Sequence, residues 1–185
     1  ASIYDDFDPD RSDLIPYVNM LKDLRAKTVV DLGCGTGSLA FLLEKEDIDV
    51  IAADPAEASI DVARSKPSAD KIKWIVGGAD ALPTGIADVV IMAGNTVQAI
   101  VEPGLWESTL SHIRSALKSN GNLIFETRNP DFQAWKEWNK RSSFKTVSIP
   151  GMGQVDGWVE LLSVELPLVS FRWTYFFHGD NTTMI

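Results

Sequence analysis

Cysteine is nearly absent from this chain: Cys34 is the sole one in 185 residues. Neither an internal disulfide framework nor a Cys-based zinc cluster can be assembled from it, and no metal site is expected. Basic charge is short as well. The chain has 17 Lys and Arg against 26 Asp and Glu, a formal net charge of -9. Proteins that grip a nucleic-acid backbone carry a basic stripe, because phosphate contacts dominate that affinity. None is present, so DNA and RNA are not expected as substrate or partner. No apolar run approaches the roughly 20 residues that cross a bilayer. The first ten residues are polar and acidic and do not read as a signal peptide. The expectation is no membrane partner and a cytoplasmic location.

What is present is a sizeable apolar fraction, 45% of residues, arranged in short runs. Thr28 to Leu32, Asp49 to Ala53, Lys71 to Val76, Ala87 to Met92 and Asn122 to Thr127 read as strands that are apolar throughout rather than alternating. Such strands belong to a sheet covered on both faces. Helical patterns lie at Ser12 to Arg25, Ser38 to Lys45, Pro55 to about Ser65 and Pro103 to Lys118. The alternation predicts an α/β fold, a doubly wound, mainly parallel Rossmann-like sheet, over residues 1–128 with an N-terminal helix. After Arg128 the texture changes. Asp131 to Asn139 suggests a short helix. Phe144 to Ile149, Gln154 to Leu162 and Leu168 to Phe177 follow as β runs separated by Pro150-Gly151 and Leu166-Pro167. Residues 129–185 are expected to form an antiparallel β cap on the carboxyl edge of the sheet, one aromatic face of which is core. Thr182 to Ile185 reads as a strand cut off in mid-pattern, a truncated C-terminus.

The most informative stretch is Val29-Val30-Asp31-Leu32-Gly33-Cys34-Gly35-Thr36-Gly37-Ser38. A buried strand runs through an acid into three glycines and then a helix, a geometry that lets a ligand sit on backbone amides. Two cofactors compete for it. Gly35-Thr36-Gly37-Ser38-Leu39-Ala40 fits the dinucleotide fingerprint, and Asp54 follows Gly35 at the expected distance of about 20 residues. Charge separates them. A pyrophosphate on the turn would sit near Asp31, and two like charges at ~4 Å with an effective dielectric near 20 cost about 4 kcal/mol. A ligand carrying an ammonium would gain from the same carboxylate.

Asp31-x-Gly33-x-Gly35-x-Gly37 resembles the first motif of the class I S-adenosylmethionine-dependent methyltransferases, and the likeness extends over roughly residues 28 to 127. The resemblance implies S-adenosylmethionine as cofactor, with S-adenosylhomocysteine as product. It also implies roles. Asp31, Gly33 and Gly35 would approach the methionine part. Asp54 would hold the ribose hydroxyls. In Gly78-Ala79-Asp80-Ala81-Leu82-Pro83, Asp80 would take the adenine amino group and the Ala81 amide a ring nitrogen. Met92 and Asn95, in Met92-Ala93-Gly94-Asn95, would border the methionine part. The family's amide and adenine methylases carry an Asn/Asp-Pro-Pro-aromatic loop after the fourth strand, where this chain has Ala93-Gly94-Asn95-Thr96, and its cytosine-carbon methylases need a Pro-Cys nucleophile. A small-molecule acceptor remains. The family's closing helix and strand pair are not evident after Thr127, so the last β runs are expected to form an inserted cap.

Each acid also has a structural explanation. Asp31 could cap the following helix, Asp54 could be an N-cap and Asp80 a turn former. Cys34 fits the turn as a small residue, His112 reads as surface or packing, and His178 could reach the site as a base. Tyr4 could fold over the cofactor. No catalytic base can be named. The competing functions are an NAD(P)-dependent oxidoreductase and a cofactor-binding protein without chemistry.

Overall fold

The computed structural model describes residues 2–185. The chain divides into two compact units, one of Asp10–Thr127 with Ser2, the other of Ile3–Pro9 and Arg128–Ile185.

The first unit is built on five parallel strands in the order β3-β2-β1-β4-β5: β1 (Thr28–Leu32), β2 (Asp49–Asp54), β3 (Lys73–Val76), β4 (Ala87–Met92) and β5 (Leu117–Phe125). The central strand β1 is buried on both faces, so its residues alternate between two cores. Val29 packs with Val50, Ala52, Val89 and Ile91 against Leu21 and Leu43. These two leucines belong to helices α2 (Ile15–Asp23) and α3 (Ser38–Glu44). Val30 and Leu32 pack with Ile51, Ala53, Val90 and Met92 against Ile113, on helix α5 (Pro103–Ala116). Helix α4 (Glu57–Arg64) adds Ile60 to the first core. Asp88 anchors the amino end of the sheet. One of its oxygens accepts the Lys27 and Thr28 amides at 2.9 Å each, the other the Lys118 ammonium at 2.9 Å. That ammonium bond, first among several contacts, holds the Asp88 carboxyl below its ordinary value.

The fifth strand begins earlier than the pattern suggests. Leu117 already pairs with Ala87, and the register then shifts before Asn122 pairs with Val89. The irregularity falls at Asn120, which has a φ of 66°, and at Gly121, whose position leaves about 3.1 Å between an added Cβ and the Ala87 and Asp88 carbonyls.

The second unit holds α1 (Tyr4–Phe7), α6 (Lys140–Ser143) and a separate antiparallel sheet of β6 (Lys145–Ile149), β7 (Gly153–Glu165), β8 (Leu168–Phe177) and β9 (Thr182–Met184), each paired with the next. The stretch expected to be one short helix is two 3-10 turns, Pro130–Phe132 and Ala134–Glu137, followed by α6. The small core contains Ile3, Phe7, Ile149 and Val155. Phe7 packs edge-on against Tyr175 at 5.1 Å between ring centroids. The expected aromatic core face is only partly realised. Phe171 and Trp173 remain 42% and 39% exposed, and the buried positions are the smaller Val155, Val159 and Thr174. No helix among the described residues is long and apolar enough to cross a membrane.

Candidate functional site

The carboxyl ends of β1 to β4 surround a cavity of about 620 Å³ in the first unit. Doubly wound sheets bind ligands at this edge. Leu32 and Gly33 of β1 and its loop, Asp80, and Met92 of β4 line it, joined by Pro55, the residue after Asp54. Gly33, Asp80 and Met92 of the expected residues are thus brought together at one cavity. Asp31, Gly35, Asp54, Ala81 and Asn95 are not among its lining residues. They frame the loops around it.

The glycine turn is more occupied than its sequence suggests. The Gly33 and Cys34 amides donate to the Ala53 carbonyl at 2.7 and 3.1 Å, the Gly37 amide to the Cys34 carbonyl at 2.9 Å, and the Gly35 amide to Asp54 Oδ2 at 2.8 Å. Lys66 Nζ donates to the Thr36 carbonyl at 2.7 Å. The expectation that a ligand rests on bare amides is corrected here: four of the turn's N–H groups are committed to the protein. What the turn does offer is closeness. Gly35, at φ +54, has nothing within 4 Å of where a Cβ would stand. A side chain at Gly33, at φ +80, would overlap Thr96. The Thr96 hydroxyl in turn donates to the Ala93 carbonyl at 2.7 Å.

Strand alternation sets Asp31 apart from Leu32 and Met92 and turns it toward α3. It is 2% exposed. Burial and the neighbouring Asp54 push its carboxyl up to about 7, against the opposing pull of the Ala40 amide and the Arg11 guanidinium. Its Oδ2 is buried without a hydrogen-bond partner, an expensive state for a polar atom. The capping role is therefore real but partial, through Ala40, and the full negative charge assumed from sequence is replaced at neutral pH by a titrating group. Arg11 reaches this region from before α2, and its Nη1 donates to Ser38 Oγ at 3.1 Å.

Asp54 does two structural jobs at once. Besides the Gly35 amide it accepts the Ala56 amide at 2.8 Å on Oδ1. Each oxygen keeps a further acceptor site open. Asp80 is exposed on the 3-10 turn Ala79–Ala81, where the Ala81 N–H already donates to the Gly78 carbonyl at 3.2 Å. Asn95 takes a left-handed φ of 65°, and its N–H donates to Glu126 Oε1 at 3.1 Å. Cys34 is a free, buried thiol pushed up by burial first and by Asp31 and Asp54 next, so it stays protonated. Tyr4 lies in α1 of the second unit and is half exposed. His178, also of that unit, meets Asp156 at 2.9 Å.

Sequence reasoning missed the α5 wall of the cavity. Leu105, Ser108, Thr109 and His112 line it, and His112 Nδ1 lies 3.4 Å from Ser108 Oγ. Their i, i+3, i+4, i+7 spacing marks one helix face, a signal that was available. It also missed Arg11, Tyr17 and Glu126, whose place depends on tertiary packing that no local pattern records.

Comparison with known proteins agrees with this architecture. A methyltransferase domain model matches residues 29–121, half of the chain. The cypemycin N-terminal methyltransferase of a Streptomyces species is 30% identical over 122 residues, 65% of this chain and 50% of that protein. The matches span about half the length of most of the curated relatives and a fifth to a quarter of two longer ones. Among solved structures, the CcbJ methyltransferase from Streptomyces caelestis superposes with a TM-score of 0.71 at 21% identity, covering 95% of this chain and 75% of that one. CalS10, an amino pentose methyltransferase from Micromonospora echinaspora solved with S-adenosylmethionine bound, gives 0.63 at 16% identity, covering 93% and 72%. The match across half its length shows that this chain belongs to the methyltransferase domain family.

Proposed function

We propose that this protein is an S-adenosylmethionine-dependent methyltransferase acting on a small-molecule acceptor. The observation that carries the reading is the contrast at the glycine turn. Four amides of the turn, those of Gly33, Cys34, Gly35 and Gly37, are spent inside the protein, while a buried carboxylate oxygen on Asp31 has no donor. An ammonium supplies that donor. The same contrast disfavours the NAD(P) oxidoreductase. The donor set suits the whole cofactor. Asp31 beside Arg11 matches the two charges of an amino-acid tail. Asp54, with open acceptor sites on both oxygens, matches a ribose diol. The open space over Gly35 admits close approach. Asp80 stands at the cavity for the adenine amino group, and the Ala81 amide, already in its turn, would share its proton with a ring nitrogen. Gly33, Met92 and Asn95 bound the methionine side.

When bound, the cofactor supplies an electrophilic methyl group on a cationic sulfur. The protein's work is alignment and exclusion of water. Strand ends fix Asp31, Asp54 and Asp80 on neighbouring strands β1, β2 and the turn after β3, so one extended ligand is held at three points. The apolar cavity wall of Leu32, Pro55, Met92 and Ile100 keeps the site dry. The net charge of -9 favours a small acceptor over a nucleic acid. A free, buried single thiol suits a reducing compartment such as the cytoplasm.

Thermal shift tests the reading. S-adenosylhomocysteine at 100 times its Kd stabilises by roughly 3 kcal/mol, an upward shift of several degrees for a chain of this size. Stabilisation by NAD or NADP and not by S-adenosylhomocysteine would overturn it. Turnover of S-adenosylmethionine against a panel of small acceptors separates an enzyme from a binding protein that lacks chemistry.

A further inference from the structure

Glu126 follows β5 at the carboxyl edge and has no assigned role. The Tyr17 hydroxyl donates to its Oε2 and the Asn95 amide to its Oε1 at 3.1 Å. Tyr17, on α2, is pushed up to about 12 by burial first and by Glu126 next, so it remains a phenol and a donor. The carboxylate is half-buried and oriented at both oxygens, and each oxygen retains an acceptor site.

Register places this group relative to Asp31. Asp31 pairs with Ile91, and Ile91 with Ile124. Glu126 lies two residues beyond Ile124 and shares its side of the sheet, the side of α2 and α3. Two strand spacings across and two residues along separate the two Cα atoms by roughly 12 Å. An amino-acid tail anchored at Asp31 carries its transferable methyl roughly 6 Å from its ammonium when extended. A tail running along the edge from Asp31 toward β5 would direct a nucleophile in line beyond that methyl toward Glu126. Along the edge, Asp80, Asp54 and Asp31 follow the strand order β3-β2-β1, and past β4 the next carboxylate is Glu126, just after β5.

We propose that Glu126 faces the acceptor's nucleophilic atom and selects an amine. This rests on the S-adenosylmethionine reading above. A protonated amine is drawn to the carboxylate and gives up one proton to a Glu126 oxygen, which passes it to solvent. The nitrogen lone pair then forms the new N–C bond while the C–S bond breaks with its electron pair staying on sulfur, leaving S-adenosylhomocysteine and an N-methylated ammonium. Tyr17 and Asn95 are positioning groups for Glu126.

Sinefungin tests this directly, because it carries a protonated amine on carbon where the cofactor carries its methyl sulfonium. By calorimetry the wild-type protein is expected to bind sinefungin about tenfold more tightly than S-adenosylhomocysteine, through charge attraction to Glu126 from the methyl position, one atom short of the acceptor, rather than a direct hydrogen bond. Glu126→Gln erases that preference and leaves S-adenosylhomocysteine affinity within about twofold, a result that also shows the variant is folded. Glu126→Asp restores part of the preference, and Tyr17→Phe reduces it. A preference that survives Glu126→Gln, or none in the wild type, overturns the proposal. Equal weakening of both ligands by Glu126→Gln also overturns it, because Glu126 would then serve the cofactor or the loop. If neither ligand binds the wild type, the cofactor reading itself fails.

Discussion

Asp31→Asn separates stability from function in opposite directions. In the free protein the Asp31 carboxyl is held near 7 against an ordinary value of 3.8, chiefly by burial. At 1.36 kcal/mol per unit, keeping it ionised in the fold costs about 4 kcal/mol. The sign follows from linkage: the folded chain holds this proton more tightly than the unfolded one. Asp31's favourable contribution is therefore complete below about pH 4 and lost as pH rises to about 7, after which it is level. Asparagine keeps an oxygen for the Ala40 amide and removes the titration. The variant's advantage over wild type should grow between pH 4 and 7 and settle at roughly 2–4 kcal/mol, on the order of 10 °C in Tm. Its affinity for S-adenosylhomocysteine should fall at least ~100-fold at pH 8, the scale of breaking one partner out of a buried charge pair. Wild-type affinity should itself weaken as pH drops below about 7. Circular-dichroism melts across that pH range, with calorimetric titration at pH 8, read both effects. A destabilised free variant, or one that binds as tightly as wild type, refutes the reasoning.

Three further substitutions probe the scaffold. Gly33→Ala imposes a side chain at a φ of +80° and overlaps Thr96; a loss of about 2–3 kcal/mol is expected in urea unfolding, and adding Thr96→Ala should relieve the worst of the overlap but not the backbone strain. Asp54→Asn leaves one acceptor oxygen for the Gly35 and Ala56 amides, so about 1–3 kcal/mol of stability and at least tenfold in S-adenosylhomocysteine affinity should go together. In the second unit, Gly157→Ala drives a Cβ into the Phe7 ring; a loss of about 1–3 kcal/mol is expected, largely restored by Phe7→Leu and visible in near-ultraviolet circular dichroism.

The parallel sheet was legible because its strands are short, apolar runs ended by glycine, proline or acid. Thr28–Leu32 and Ala87–Met92 fall where the pattern puts them, as does Leu168–Phe177 in the antiparallel sheet. The start of β5 was not legible. Leu117 continues the apolar spacing of α5, and Lys118 to Gly121 are too polar to read as a strand; pairing with Ala87 and the Lys118–Asp88 ion pair decide the matter. At the site, the motif gave positions but not how their polar atoms are used. That the turn's amides bond to Ala53 and Asp54, and that Asp31 is buried beside α3, are consequences of packing between elements distant in sequence. Arg11 and Glu126 reach the edge only once α2 and β5 are docked. The aromatic run of β8 has the alternation of a core face, yet the small residues Val155, Gly157 and Val159 opposite it leave room that Phe7 fills only in part.

The most direct test of the cofactor assignment is a crystal structure of the protein grown with S-adenosylhomocysteine. The ligand's ammonium is expected at Asp31, its ribose hydroxyls at Asp54 and its adenine beside Asp80. Density placing the ligand away from Asp31 and Asp54, or no ligand at saturating concentration, would contradict it.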